Sequence, residues 1–231
     1  IEHGCEFATG GTVCSQSGQF IHLIQHSNRR SILAFTRTHK FLIAGSLVIG
    51  LSGCTAMTAQ NPSTNLSPVN AAEVAGDDRV MLFGADVVAY ITQNAYVQGT
   101  PEFKSTYEEV DFHFSSAEHK ALFDAEPTKY IPQYGGYCAN GIMFGIPWGG
   151  NASDFKVVNG KTYIFGGQVS QAAFELELDK NIALSDEYWN NEIKGNNSFI
   201  QRAKRLVVRV PHYKSGEEQA AEVQAAGKLG G

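Results

Sequence analysis

The chain has 231 residues, 43% of them hydrophobic and 11% aromatic, with a formal net charge of −5 at pH 7. That length fits one ordinary domain with flanking segments, and the mild acidity gives no footing for nucleic acid as a partner. No G-x-G-x-x-G or G-x-x-x-x-G-K-S/T stretch supports a nucleotide loop, and the four cysteines, Cys5, Cys14, Cys54 and Cys138, form neither a disulfide framework nor a C-x-x-C pair.

Residues 1–54 read as upstream sequence followed by an export signal. Cys5 and Cys14 take no role. Arg29, Arg30, Arg37 and Lys40 precede the apolar run Phe41 to Leu51, which is too short for a comfortable bilayer span. The run ends in Leu51-Ser52-Gly53-Cys54, which resembles a bacterial lipobox. That resemblance implies lipidation of Cys54 and a membrane partner through the lipid anchor, each buried methylene adding about 0.8 kcal/mol. Thr55 stands where an aspartate would signal inner-membrane retention, so the expected location is the outer membrane, facing the periplasm. Residues 55–79 are rich in Ser, Thr, Asn, Pro and Ala and read as a flexible tether.

Residues 80–193 carry most of the aromatic side chains and read as the folded domain. Asp86 to Tyr90 begins a short helix after Gly84. In Lys104 to Ser115, Val110, Phe112 and Phe114 alternate with Asp111 and His113, so Glu108-Glu109 turns a hairpin and His113 faces outward. Ser115 followed by Glu118 has the spacing of a capping box, starting a helix that ends before Pro127 with Leu122 and Phe123 on its apolar face. Gly135 to about Phe144 reads as helical. Asn159-Gly160 turns a second hairpin, Phe155–Val158 with Thr162–Phe165, and helices follow at 169–178 and 185–193. The order is mixed, giving an α+β class: a small domain with two antiparallel hairpins and several short helices. Residues 194–231 read as a partly disordered extension holding one loosely attached helix near 199–208.

Five spaced segments resemble one family. Gly84-Ala85-Asp86-Val87-Val88-Ala89-Tyr90 is similar to its G-x-D-P-V-A-Y opening, with Val87 in place of proline. Phe112 to Glu118 resembles its strand-into-helix segment, and Phe123 to Tyr130 its F-x-x-x-P-x-K-Y. Gln133 to Ala139 matches Q-Y-G-G-Y-C-A, and Val158 to Tyr163 resembles V-D-G-K-x-Y. Over residues 80–190 the chain thus resembles a YHS-domain protein of the exported single-domain type. The resemblance implies a small α+β module of a class associated with heavy-metal handling. The positions of the cysteine-rich branch hold Ala89, Ser115 and His119 here, so its thiolate site is dismantled. The cysteine matching Cys138 is characteristic of the exported branch.

Cys138 therefore stands out, among aromatics and glycines. Gly135-Gly136 amides and a helix start are features that favour a thiolate. The leading expectation is a soft or borderline metal site, copper first, with two alternatives beside it. Cys138 and His119 together would make an S/N site for copper or zinc, with Tyr90, Tyr137 or His113 as supporting donors. Alternatively, Cys138 is a redox thiol, or a packed, inert cysteine in a structural or interaction module of the envelope. A hydrolase triad is unsupported, because no G-x-S-x-G elbow occurs.

Overall fold

The computed structural model describes residues 69–228. Glu108 and Glu109 both adopt positive φ, 48° and 61°, and so turn the chain between β3 (Thr100–Tyr107) and β4 (Val110–Phe114). Two left-handed residues give the twist that an antiparallel hairpin needs. Val110, Phe112 and Phe114 point together into the core, as the alternation predicts. The sheet then extends upstream of the expected boundary at Val80. β1 (Ala71–Val74) and β2 (Asp77–Met81) form a hairpin over Ala75-Gly76, and β2 pairs with β4 in parallel, giving the order β1-β2-β4-β3. Residues 71–79, read as tether, thus belong to the sheet. Their polar composition hides strands with few apolar residues, of which Ala71, Ala72, Val80 and Met81 are buried and Val74 is half-buried.

His113 does not face outward. It is only 1% exposed, with Nε2 3.1 Å from Asp77 Oδ2. The imidazole lies against Gly84, where an added Cβ would meet its Nδ1 at 3.0 Å.

Helix α1 (Val87–Gln93) is capped by Asp86, which accepts from the amides of Val88 and Ala89. Helix α2 (Ala117–Ala125) ends ahead of Pro127, as expected, but its cap is Ser116, accepting from the His119 amide. Ser115 is drawn away to Asp86. Of the two residues assigned to the apolar face of α2, Phe123 is buried and Leu122 is exposed. Beyond the short α3 (Pro127–Tyr130) and a tight turn at Gln133–Gly136 comes α4, only Ala139–Ile142.

Asn159 and Gly160, with φ of 51° and 75°, turn the second hairpin between β5 (Asn151–Val158) and β6 (Lys161–Phe165). β6 is the wall between two cores. Ile164 packs with Tyr90, Phe112, Phe114 and Phe123, while Tyr163 and Phe165 point the other way, onto Tyr134, Ile142, Phe144 and Phe174. Helices α5 (Gln168–Leu176) and α6 (Leu178–Tyr188) close the second core, and the chain leaves α6 through a wide turn at Trp189–Ile193. The C-terminal extension holds the expected helix, α7 (Ser198–Val207), and a further one, α8 (Gly216–Ala225). Helix α8 corrects the reading of a disordered end. It packs on α5, burying Val223 completely.

Candidate functional site

Cys138 is fixed by backbone on both sides. Its amide donates to the Trp148 carbonyl at 2.9 Å, and it pairs as an isolated parallel bridge with Ile164 of β6. It caps α4 in position but not through its side chain. The sulfur turns instead toward the start of α5. The Gly166 amide donates to Sγ at 3.2 Å, and Ser170 Oγ lies 3.1 Å away. The expected donors, the Gly135 and Gly136 amides, are not the ones used. The Gly166 amide thus directs one hydrogen at the sulfur, and in the contact with Ser170 either group can be the donor.

The residue is 4% exposed, and that small exposure opens onto a cleft of about 680 Å³. This is the size of a small-molecule site. One wall is the β6–α5 junction, Gly166 to Ser170; the second is Trp148-Gly149; the third is Lys214, Gly216 and Gln219 of the C-terminal extension. The N-cap of α5 is Gly167, so no side chain caps that helix where it borders the cleft. Asn140 completes the lining, and its orientation is dictated. Gln219 Nε2 donates to the Lys214 carbonyl at 3.1 Å, so its Oε1 is left to accept from Asn140 Nδ2 at 2.6 Å. Asn140 Oδ1 is thereby the free end of the chain, buried with no hydrogen-bond partner. Lys214 Nζ is held by Glu222 at 2.6 Å.

His119 belongs to a different cluster. Its Nδ1 lies 2.7 Å from Asp86 Oδ2, and its Nε2 is 3.3 Å from Gln93 Nε2. The carboxylate demands a proton on Nδ1, and the Gln93 amide then donates to Nε2, so both ring nitrogens are used. Asp86, fully buried, also accepts from the Ser115 amide and hydroxyl at 2.8 and 2.6 Å. Tyr90 donates to the Ala152 carbonyl at 2.7 Å and Tyr137 to the Val69 carbonyl at 3.0 Å, and burial pushes both phenols upward from the usual range. His113 is held by Asp77. None of His119, His113, Tyr90 and Tyr137 lines the cleft beside Cys138. Among the described residues no group of three or more His, Cys, Asp and Glu side chains is arranged to hold a metal. Cys54 and the lipobox lie outside the described residues.

Sequence reasoning singled out the sulfur and missed Asn140, Ser170 and Gln219. Only one signal pointed at the third wall: Ser215 and Glu218 form a capping box, S-x-x-E, which starts α8. A smaller cleft, about 250 Å³ between Met81, Phe112 and Trp189, holds no thiol or imidazole. No family model, curated protein or solved structure matches this chain.

Proposed function

We propose that this is a lipid-anchored protein of the bacterial cell envelope whose working group is the Cys138 thiol, acting as a redox thiol on small molecules admitted to the cleft. The observation that supports this best is the juxtaposition of sulfur and orphaned amide. Sγ borders a ligand-sized cleft with the Gly166 amide directed at it and Ser170 Oγ 3.1 Å away, and Asn140, in the same lining, keeps a buried Oδ1 without a partner. An inert cysteine needs no cleft, and a buried amide carbonyl left bare costs about 1–3 kcal/mol. A ligand whose N–H or O–H reaches Oδ1, on a shift of the Asn140 side chain toward the cleft, relieves that cost.

The chemistry is thiol–disulfide exchange with a low-molecular-weight disulfide. The thiolate attacks one sulfur of the disulfide; a bond to Sγ forms and the old S–S bond breaks. The released thiolate takes up the proton that Cys138 gave up. A free thiol from solution then attacks the mixed disulfide, releases Cys138 and completes the cycle. The YHS-like segments support the same choice of residue, since the cysteine at this place is characteristic of the exported branch.

The test treats the folded protein with methyl methanethiosulfonate at pH 7 and locates the product by peptide mapping. The expected result is a mixed disulfide at Cys138 within minutes, reversed by free thiol and absent from Cys138→Ser. Modification of Cys138 only after denaturation overturns the reading. A parallel titration against a Cu(I) chelator decides the other use of the sulfur: stoichiometric Cu(I) binding lost in Cys138→Ser would assign it to a soft metal instead.

A further inference from the structure

Helix α7 is inside out. Its polar face is buried: Gln201 donates to the Gly145 carbonyl at 3.1 Å and Arg202 to the Pro147 carbonyl at 2.9 Å. Arg205 and Lys204 are tied to Glu192 at the end of the preceding turn. Its apolar face points to solvent. Phe199 is 59% exposed, Ile200 66%, Leu206 52% and Val207 85%, with Val208 continuing the patch at 59%. At 100° per residue, positions 199, 200, 203, 206 and 207 fall in one continuous stripe. Single exposed apolar residues are ordinary, but a whole helical stripe turned outward marks a binding surface.

The charge around the stripe selects its occupant. Residues 193–216 contain Lys194, Arg202, Lys204, Arg205, Arg209 and Lys214; Glu192 takes up Lys204 and Arg205, Glu222 takes up Lys214 and Arg202 is buried, which leaves Lys194 and Arg209 as exposed cations outside a salt bridge among the described residues. Lys194, Lys204 and Arg209 are exposed. A ten-residue helix with an apolar stripe, and with exposed Lys194 before it and Arg209 after it, suits the boundary between headgroups and acyl chains, where apolar burial and attraction to anionic lipid act together. We infer that α7 lies flat on an anionic lipid surface, with Phe199, Ile200, Leu206 and Val207 entering the acyl boundary. This contact is independent of acylation at Cys54 and of any chemistry at Cys138. It would orient the domain relative to the membrane rather than merely keep it nearby.

The experiment uses the full chain carrying Cys54→Ser, with and without Ile200→Glu plus Val207→Glu. Both of these positions are exposed, so the added charges leave the core intact, and near-ultraviolet circular dichroism checks this. Vesicles of phosphatidylethanolamine and phosphatidylglycerol containing a photoactivatable phosphatidylglycerol are mixed with each form, irradiated, and the crosslinks mapped by mass spectrometry. The expected result is crosslinking within residues 199–208, reduced at least about tenfold by the paired substitutions and weakened on phosphatidylcholine vesicles. Crosslinks confined to the apolar run at 41–51 overturn the inference. So does a dimer, seen by sedimentation velocity, that the paired substitutions dissociate while lipid crosslinking at 199–208 stays unchanged; that result assigns the stripe to a second copy of the chain.

Discussion

The cluster around Asp86 and the cleft beside Cys138 are both built from buried polar groups, and they differ in how completely those groups are satisfied. The Asp86 carboxylate receives bonds from the Val88, Ala89 and Ser115 amides, the Ser115 hydroxyl and His119. Its histidine has a partner at each nitrogen. Nothing there is left over for a ligand. At the cleft, an amide carbonyl is unpartnered, a helix start is uncapped and a sulfur stands at the wall. A saturated network fixes structure, because any ligand would have to displace a bond already made. An incomplete one beside open volume leaves a bond that a ligand can complete. His119 and Cys138, paired by the sequence as one S/N site, fall on opposite sides of this division.

The sharpest way to break the comparison is to remove the hub of the saturated cluster. Asp86→Ala strands several buried donors and uncaps α1, so unfolding by urea should show a loss of about 3–5 kcal/mol. A loss below about 1 kcal/mol would mean that the cluster is not structural. His119→Ala removes one arm of the same network and should cost about 1–2 kcal/mol while leaving Cys138 modification by methyl methanethiosulfonate unchanged. Slowed modification would reunite the two regions into a single site.

Acid provides a graded test. Hydrogen bonds from Lys104 and His113 hold the Asp77 carboxyl below its ordinary 3.8. Burial pushes Glu192 up, but bonds from Gln201, Arg205 and Lys204 outweigh it and hold that carboxyl below 4.5. Both carboxyls are depressed in the fold. Their stabilisation is therefore complete above those ordinary values and is lost as pH falls through the lowered ones. Urea midpoints measured from pH 6 downward should fall below about pH 4, and Asp77→Asn and Glu192→Gln should each flatten that decline. The smallest change in stability is expected at the cleft itself. Cys138→Ser should leave unfolding within about 1 kcal/mol of the parent while abolishing disulfide exchange. Ser170→Ala should slow that exchange several-fold, with no measurable effect on the urea midpoint, because it removes the hydroxyl that can donate to a thiolate at Sγ and leaves the packing in place.

Local rules sufficed for much of the fold. Alternation at Val110, Phe112 and Phe114, the Asn159-Gly160 turn and the break before Pro127 each encode their element within a few residues, so the two hairpins and α2 were legible. The misreadings share one cause. Ser115 looked like a cap and His113 like a surface residue because their partners Asp86, Gly84 and Asp77, distant in sequence, could not be weighed. The strands at 71–81 and helix α8 escaped because each presents few apolar residues and is held by what it packs against.

What the sequence determined by itself was the α+β class, the turn chemistry and the choice of Cys138 as the residue to watch, since these follow from short-range periodicity and from residue types in a fixed order. What only the tertiary structure decided was the company that residue keeps. Ser170, Asn140 and Gln219 converge on the sulfur's cleft from three separate helices. The direction of α7 was likewise invisible in the chain, because an amphipathic pattern reveals that a helix has two faces but not which one the core will take. Here the buried carbonyls of Gly145 and Pro147 and the Glu192 carboxylate claim the polar face, and the apolar face is left outside.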